Sequence, residues 1–409
     1  MKLFLFNPDN DLSLANGDVN FIPPRSARIM ASNLSALPMW WADEGDAVCV
    51  SSISEADVVR KMWQDRLPKL HWWTECSDYA VDTVCPWGWN PMLRHKLLRS
   101  GLPSNVLLTD EQMDSYRELS GRQTAVRLLA DFNQYAAGNQ GVEQALCCGT
   151  SVLCHTETEA KDAVERHPQT MLKAPWSGSG KGLRFGRGEW ASPLSGWGRN
   201  VLREQGALVV EPFYDKAADL AMEFHSDGRG TVVYCGLSLF TTNVQGAYQG
   251  NVVAKESVKE TRLFKFVPES LFRMVQRYLL EWLSVEVGSI YSGFLGVDMM
   301  VCYSEKSSTG YALHPCVEIN LRMTMGMVSV LLGRYLAPDS EAMFSVDFFS
   351  DTKALHDQHE LRTRTHPVES VDGQWKKGYV WLTPIGCDTH YRASLLVEEG
   401  DACSQSWGR

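Results

Sequence analysis

The sequence predicts a mixed chain, an α/β domain followed by a larger α+β body, and three observations predict it. Short apolar runs alternate with helical patterns over 1–115. An apolar stretch closes on a lysine at Met171-Leu172-Lys173, and the glycine-rich segment Ser177-Gly178-Ser179-Gly180-Lys181-Gly182 follows. Far downstream come two strand-like runs, Gly293 to Val301 and Pro315 to Arg322, and the second places Glu318, Asn320 and Arg322 at alternate positions. The expected organisation is a leading domain over 1–115, a first subdomain with the lysine and glycine-rich loop over 116–207, a second with the late strands over 208–345, and a C-terminal extension over 346–409 packed on them.

With 409 residues, 44% hydrophobic and 22% charged, the chain has ordinary globular chemistry and the length for more than one core. Its net charge is −10, from 39 Lys plus Arg against 49 Asp plus Glu. Broad attraction to nucleic acid or to an anionic membrane is therefore not expected, and basic residues should act locally. The first apolar run breaks at Asn7-Pro8-Asp9, too short for a secretory signal, and no run reaches bilayer-spanning length, so a cytoplasmic protein is expected. The 11 cysteines lack a tight ligand spacing and read as buried thiols rather than a disulfide framework or a zinc site. Nothing sets the oligomeric state; a homodimer is compatible with it.

In the leading domain, Leu3 to Phe6, Ala47 to Val50 and Val81 to Pro86 read as strands. Pro91 to Ser100 reads as a helix, with Asn90 as cap, Pro91 at its first position and Gly101 as its stop. This is a Rossmann-like pattern, in which loops beyond the carboxyl ends of the strands open into a crevice. Asn7-Pro8-Asp9-Asn10-Asp11 and Trp87-Gly88-Trp89-Asn90 are two such loops. Each has a plain explanation in local turn and capping chemistry; as functional elements they would recognise the group being activated or its acceptor.

The next helix is expected over Gly121 to Phe132, with Val126, Leu129 and Leu128 or Phe132 on one face, and another over Thr156 to His167 beside the lysine strand. In the segment after Lys173, glycines let backbone N–H groups approach phosphate oxygens, serines add donors, and the ammonium groups neutralise charge. A flexible surface hairpin has a similar composition. A Walker loop does not fit, because Pro175 and Gly182 stand where that motif needs Gly and a hydroxyl residue. In the late strand, residues two apart share a face, so Glu318, Asn320 and Arg322 should project together while Val317, Ile319 and Leu321 enter the core. Two hard oxygen ligands beside a guanidinium suit magnesium on phosphates, with Asp298 on a neighbouring strand as a further carboxylate.

Taken in order, and with Leu208-Val209-Val210-Glu211-Pro212-Phe213-Tyr214 between them, these pieces resemble the ATP-grasp superfamily over about residues 115 to 330. The resemblance implies two α+β subdomains gripping ATP. It implies that Lys173 contacts the phosphates, that Ser177, Gly178, Ser179, Gly180 and Lys181 form part of a lid over them, and that Glu211, Pro212, Phe213 and Tyr214 form the hinge that holds adenine. Asp219, or else Glu223, would hold the ribose. Asp298, Glu318 and Asn320 would bind Mg2+, and Arg322 with Lys173 would stabilise the transferred phosphoryl group. The superfamily commonly opens its first subdomain with Ser-x-Lys where this chain has Ser120-Gly121-Arg122, so Arg122 replaces a lysine that reaches the phosphates.

The resemblance further implies an ADP-forming ligase that activates a small-molecule carboxylate as an acyl phosphate for attack by an amine. An ATP-dependent kinase, or a nucleotide-binding protein without turnover, are the other readings. Leu239 to Asn251 is expected as a polar loop able to close over a substrate, with Lys255 and Arg262 beyond it as further basic candidates. Leu271 to Val285 reads as a core helix capped by Ser270, and Met325 to Leu336 as a helix stopped before Pro338. Residues 338–370 read as polar and irregular, and strands are expected over Lys377 to Pro384 and His390 to Val397. His71, His225 and His314 are expected to make local hydrogen bonds.

Overall fold

The computed structural model describes residues 1–74, 77, 79–138, 143–177, 182–243, 248–400 and 407. The first strand, β1 (Lys2–Leu5), buries Leu3, Phe4 and Leu5 in succession, as a strand covered on both faces must. β2 (Ala47–Cys49), β3 (His71–Trp73) and β4 (Thr83–Pro86) join it in a parallel sheet of order β3-β2-β1-β4. The chain steps outward from β1 to β3 and then crosses back to place β4 on the other side of β1. Strand order reverses there, and the loops after β1 and β4 border the crevice that such a reversal creates. The helix Pro91–Arg99 begins as its sequence indicates, with the Asn90 side chain accepting from Leu93 N at 2.8 Å.

A second sheet is small and antiparallel. It comprises β5 (Val152–Cys154), β6 (Thr170–Lys173), β7 (Leu183–Gly186) and β8 (Leu208–Pro212) in the order β5-β8-β6-β7. Helices Glu157–Glu165 and Leu194–Gln205 cover it, the first opened by a capping box between Thr156 and Glu159. Its core, which includes Cys154, Val164, Leu172, Val201 and Val210, is separate from the others. Within this sheet β8 is bonded on both edges, to β5 and to β6.

The third sheet has nine strands. β9 (Lys216–Asp227), β10 (Val232–Thr242), β11 (Tyr248–Val253), β12 (Ser292–Tyr303), β13 (Tyr311–Asn320), β14 (Ser340–Phe348), β15 (Glu369–Val371), β16 (Gln374–Trp381) and β17 (Tyr391–Glu399) run in the order β13-β12-β9-β10-β11-β14-β17-β16-β15. The C-terminal strands thus continue the large sheet through β14. Residues 338–370 are not irregular: they contain β14 and the helix Thr352–Thr365. The stretch expected as a loop is mostly strand, the paired β10 and β11, and residues 244–247 lie outside the described residues.

Leu220, Met222, Leu237, Val297 and Met299 pack with Phe272, Val275 and Leu279 of the helix Glu269–Glu286 and with Leu128 and Phe132 of the helix Arg122–Gly138. Pro268, not Ser270, is the cap of the former, which starts earlier than its apolar stripe. Elsewhere in the sheet, Val253, Phe344 and Leu395 share a core with Met327 and Val328 of the helix Met325–Leu332 and with Phe4, Trp40 and Trp63 of the leading domain. The indole N–H groups of Trp40 and Trp63 donate to the carbonyls of Leu382 and Trp381. Among the described residues no helix is long and apolar enough to cross a membrane, and no cysteine forms a disulfide. Cys154, Cys302 and Cys316 are buried as expected, but Cys85, Cys147, Cys148 and Cys235 are only half-buried and Cys387 is exposed.

Candidate active site

Lys173 ends β6 and reaches across the small sheet. Its Nζ lies 2.7 Å from Glu211 Oε2 on β8, with the two side chains only 7% and 6% exposed, and it donates to Val317 O at 3.4 Å. Ser151 donates to the other Glu211 oxygen at 3.1 Å. The Glu211 side chain is therefore engaged with the lysine, a role the sequence did not indicate.

Arg122 opens the helix Arg122–Gly138 and spreads its guanidinium over three acceptors. Nη1 donates to Ala174 O and Ser177 Oγ, each at 2.7 Å, and Nη2 lies 2.9 Å from Glu318 Oε1. One buried arginine thus ties the base of the glycine-rich segment to the far strand. Ala174 N donates to Gly182 O at 2.9 Å, and a Cβ at Gly182 would lie 2.2 Å from Ser177 Cβ, so the segment's base closes only on glycine. Gly178, Ser179, Gly180 and Lys181 lie outside the described residues.

The register of the large sheet assembles the acidic residues. Asp298 on β12 is paired with Glu318 on β13 and with Ala221 on β9, while Gly296 stands between Asn320 and Glu223. Asn320 Nδ2 donates to Asp298 Oδ2 at 3.0 Å, which leaves its carbonyl oxygen as a ligand atom. Burial, followed by the neighbouring Glu318 charge, pushes the Asp298 carboxyl up to about 7. Glu223 is buried beside it, accepts from Thr324 Oγ1 at 2.9 Å, and is pushed up to about 8, first by burial and then by Asp298. This is a site with more negative charge than it comfortably holds. Among the described residues no three His, Cys, Asp or Glu side chains form a metal cage. The two carboxylates with the Asn320 carbonyl form an open, all-oxygen set, which fits magnesium, an ion that keeps several waters and takes phosphate oxygens as further ligands.

Arg322 lies just past the end of β13 instead of on the strand, its backbone N–H turned back onto Asn320 O at 2.9 Å. Its Nε donates to both carboxylate oxygens of Asp11, at 2.8 and 3.1 Å, and Nη1 to Met323 O. Asp11 lies in the first turn of the helix Asn10–Asn16, which follows β1. Met323 N donates to Trp87 O in the loop after β4, and Tyr116 OH donates to Leu321 O at 2.6 Å. A crevice open to solvent follows this seam and is lined among others by Asn10, Asp11, Trp176, Ser177, Glu318 and Arg322. Of the two leading-domain segments singled out in the sequence, the first therefore contributes Asn10 and Asp11 to the crevice lining, and the second meets the seam through Trp87 O. That Asp11 would hold Arg322, 311 positions away, had no local signal.

In the hinge segment, Pro212 ends β8 and Phe213 N donates to Gln169 O at 2.9 Å. The Phe213 ring is 44% exposed and meets Phe185 edge-on. Tyr214 OH accepts from Thr150 N at 2.8 Å, and its ring abuts His314. Asp219 is bonded by Lys216 Nζ and Thr242 Oγ1; Glu223 is sealed under Gly326, where a Cβ would lie 2.0 Å from Glu223 Oε1, and cannot serve as its alternative for a ribose. Arg262 is spent in a buried pair with Glu341, and Lys255 is the cap of the helix Glu256–Leu263. His314 departs from expectation: it is fully buried with neither ring nitrogen hydrogen-bonded, and burial lowers its pKa to about 4.

No family model matches the sequence, and no curated protein matches it. Solved structures do. The biotin carboxylase domain of the Hydrogenobacter thermophilus 2-oxoglutarate carboxylase, in complex with MgADP, ADP and bicarbonate, aligns over 98% of this chain and 86% of its own at 10% identity, with a TM-score of 0.50. Rhizobium etli pyruvate carboxylase aligns over 98% of this chain and 36% of its own at 12% identity, with a TM-score of 0.52. An ADP complex of the N5-carboxyaminoimidazole ribonucleotide synthetase PurK aligns over 97% and 92% at 10% identity, with a TM-score of 0.49. Identities this low show the fold alone: a parallel pre-ATP-grasp α/β domain followed by the antiparallel sheets of an ATP-grasp fold.

Proposed function

We propose that the chain is an ATP- and Mg2+-dependent ligase that activates a small-molecule carboxylate as an acyl phosphate for attack by an amine, releasing ADP and phosphate. One observation carries the reading: Lys173, Arg122 and Arg322 converge with Asp298, Glu318 and Asn320 on a single cleft beside a crevice open to solvent. The MgADP and bicarbonate in the Hydrogenobacter domain, which shares the fold, support it.

In this reading Lys173 and Arg122 bind the phosphates, Ser177 and the glycine-rich segment after it cover them, and the hinge from Glu211 to Tyr214 holds the base with Asp219 near the ribose. Asp298, Glu318 and the Asn320 carbonyl hold magnesium, which supplies charge to offset that developing on the phosphates. Arg322, oriented by Asp11, faces the carbon or phosphorus centre at which negative charge develops, where a preorganised donor is most effective. The crevice between the leading-domain loops and β13 holds the carboxylate and the amine. No nucleophilic side chain is required, because the attacking groups belong to the substrates.

The test is an ADP-release screen with pooled carboxylates and amines. ADP and phosphate should appear together and only when both substrate classes are present. AMP and pyrophosphate would overturn the acyl-phosphate route, and a stable phosphorylated product with no amine requirement would replace it by the kinase.

A further inference from the structure

Resting on the reading that Asp298, Glu318 and Asn320 hold magnesium beside ATP, we propose that Arg122 is the resident counter-ion of Glu318, and that it exchanges this carboxylate for phosphate when nucleotide and metal arrive together. The Arg122 guanidinium is always charged and only 7% exposed. Its Nη2 holds Glu318 Oε1, its Nη1 holds Ala174 O and Ser177 Oγ, and its Nε is buried without a partner. Glu318 is a carboxylate that the metal needs, and a guanidinium 2.9 Å from its Oε1 offsets its charge and repels a divalent cation approaching the other oxygen.

A free metal ion must therefore bind against this repulsion or displace Arg122, and displacement leaves a buried cation with two neutral acceptors, an arrangement that interiors strongly disfavour. An incoming phosphate removes this obstacle. It offers the guanidinium a planar two-oxygen partner, to which arginine is better matched than lysine, and Glu318 is vacated for the metal in the same event. Nucleotide and metal binding are thus positively coupled through one side chain, and the coupling is reciprocal. Because Arg122 also holds Ser177, the exchange is felt at the base of the glycine-rich segment. This gives Arg122, where the resemblance to the ATP-grasp superfamily implies a lysine, a physical role: a single ammonium cannot span Glu318, Ser177 and Ala174 with one rigid fork.

The experiment titrates the full chain with Mn2+ by electron paramagnetic resonance, without and with ATP, and measures ATP affinity by calorimetry. The wild type should bind Mn2+ weakly alone and about tenfold or more tightly with ATP, within the usual range of such couplings. Arg122→Gln should shift these in opposite directions, with tighter Mn2+ binding in the absence of nucleotide and weaker ATP binding. Adding Glu318→Gln should abolish the Mn2+ gain. Unchanged or weaker Mn2+ binding by folded Arg122→Gln, while the wild type binds ATP, overturns the exchange but leaves the nucleotide reading standing. Absence of ATP binding by the wild type overturns both. If Arg122→Gln does not fold, Arg122→Lys carries the test: a gain in Mn2+ affinity over the wild type supports the exchange, and no gain overturns it.

Discussion

At the scale of single residues, the Lys173–Glu211 pair decides how the site can be probed. Both side chains are almost fully buried, so Lys173→Ala would strand a carboxylate with Ser151 as its remaining side-chain donor; breaking such a pair typically costs about 3–5 kcal/mol. Loss of ATP binding in that variant alone would be ambiguous. Lys173→Met combined with Glu211→Gln removes both charges and should unfold in denaturant much closer to wild type than Lys173→Ala does. Its ATP affinity should still fall about ten- to a hundredfold, the usual loss with one charge-assisted phosphate contact. A well-folded double variant that retains wild-type ATP affinity would remove Lys173 from the nucleotide site. Asp298 and Glu223 supply a pH signature. Their folded pKa values, about 7 and about 8, lie above those of unfolded carboxyls, so the folded chain binds the extra protons. The stability they contribute is fully present below the ordinary carboxyl range and is lost as pH rises through about 7 and then about 8. The ligand-free chain should therefore weaken in denaturant as pH is raised over this window, and Asp298→Asn should flatten the lower part of the profile. Magnesium with nucleotide should stabilise more at the alkaline end, because it takes the deprotonated form. A profile that rises with pH over the same window would contradict the buried acid pair.

Among the elements, the helix Met325–Leu332 makes the sharpest claim, because its second residue, Gly326, lies against Glu223. A methyl group there would sit 2.0 Å from Glu223 Oε1 and 2.6 Å from Ser238 Oγ. Alanine normally favours a helix over glycine by about 1 kcal/mol, yet overpacking typically costs about 1–3 kcal/mol. Gly326→Ala should therefore destabilise, as read by the denaturation midpoint, and a stabilised variant would mean that the Glu223 carboxylate is free to move. The sequence disclosed those elements whose signal is local. Asn90 with Pro91 announced one helix start, and the alternation through Glu318 and Asn320 announced β13. It hid elements whose polar residues are satisfied at long range. β14 reads as irregular because Glu341 and Asp347 interrupt it, but Glu341 is paired with Arg262, and Asp347 with the fully buried Arg392. The helix Thr352–Thr365 fully buries only Leu355 and so lacks an apolar stripe. Arg322 was placed on the strand by its spacing, whereas the chain turns at Leu321, where Tyr116 takes the carbonyl.

Across the whole molecule, the cores divide the chain into unequal parts. The leading domain and the nine-stranded sheet are joined by shared apolar clusters, whereas the sheet β5-β8-β6-β7 has a core of its own. Charged contacts from that smaller body to the rest therefore matter, and they are centred on Lys173 and on Arg122, which links Ser177 to Glu318. The order of the pieces was legible in the sequence because it follows the chain; the seam between the leading loops and β13 was not, because it depends on which distant surfaces meet. Arg322 tests that seam. Its charge is paired with Asp11 in the ligand-free chain, so in the proposed reaction it should contribute little to holding ATP and most where phosphoryl transfer spreads negative charge toward the crevice. Arg322→Ala should lower kcat on the order of a hundredfold, as removal of one preorganised donor typically does, with a much smaller change in the calorimetric Kd for ATP. Asp11→Asn keeps the shape of the contact but removes its charge. It should lower kcat less than Arg322→Ala, and the double variant should be no worse than Arg322→Ala alone, because Asp11 acts through the arginine. If the two losses multiply instead, Asp11 touches substrate directly; if Arg322→Ala loses ATP affinity and kcat equally, the arginine belongs to the nucleotide site and not to the transfer.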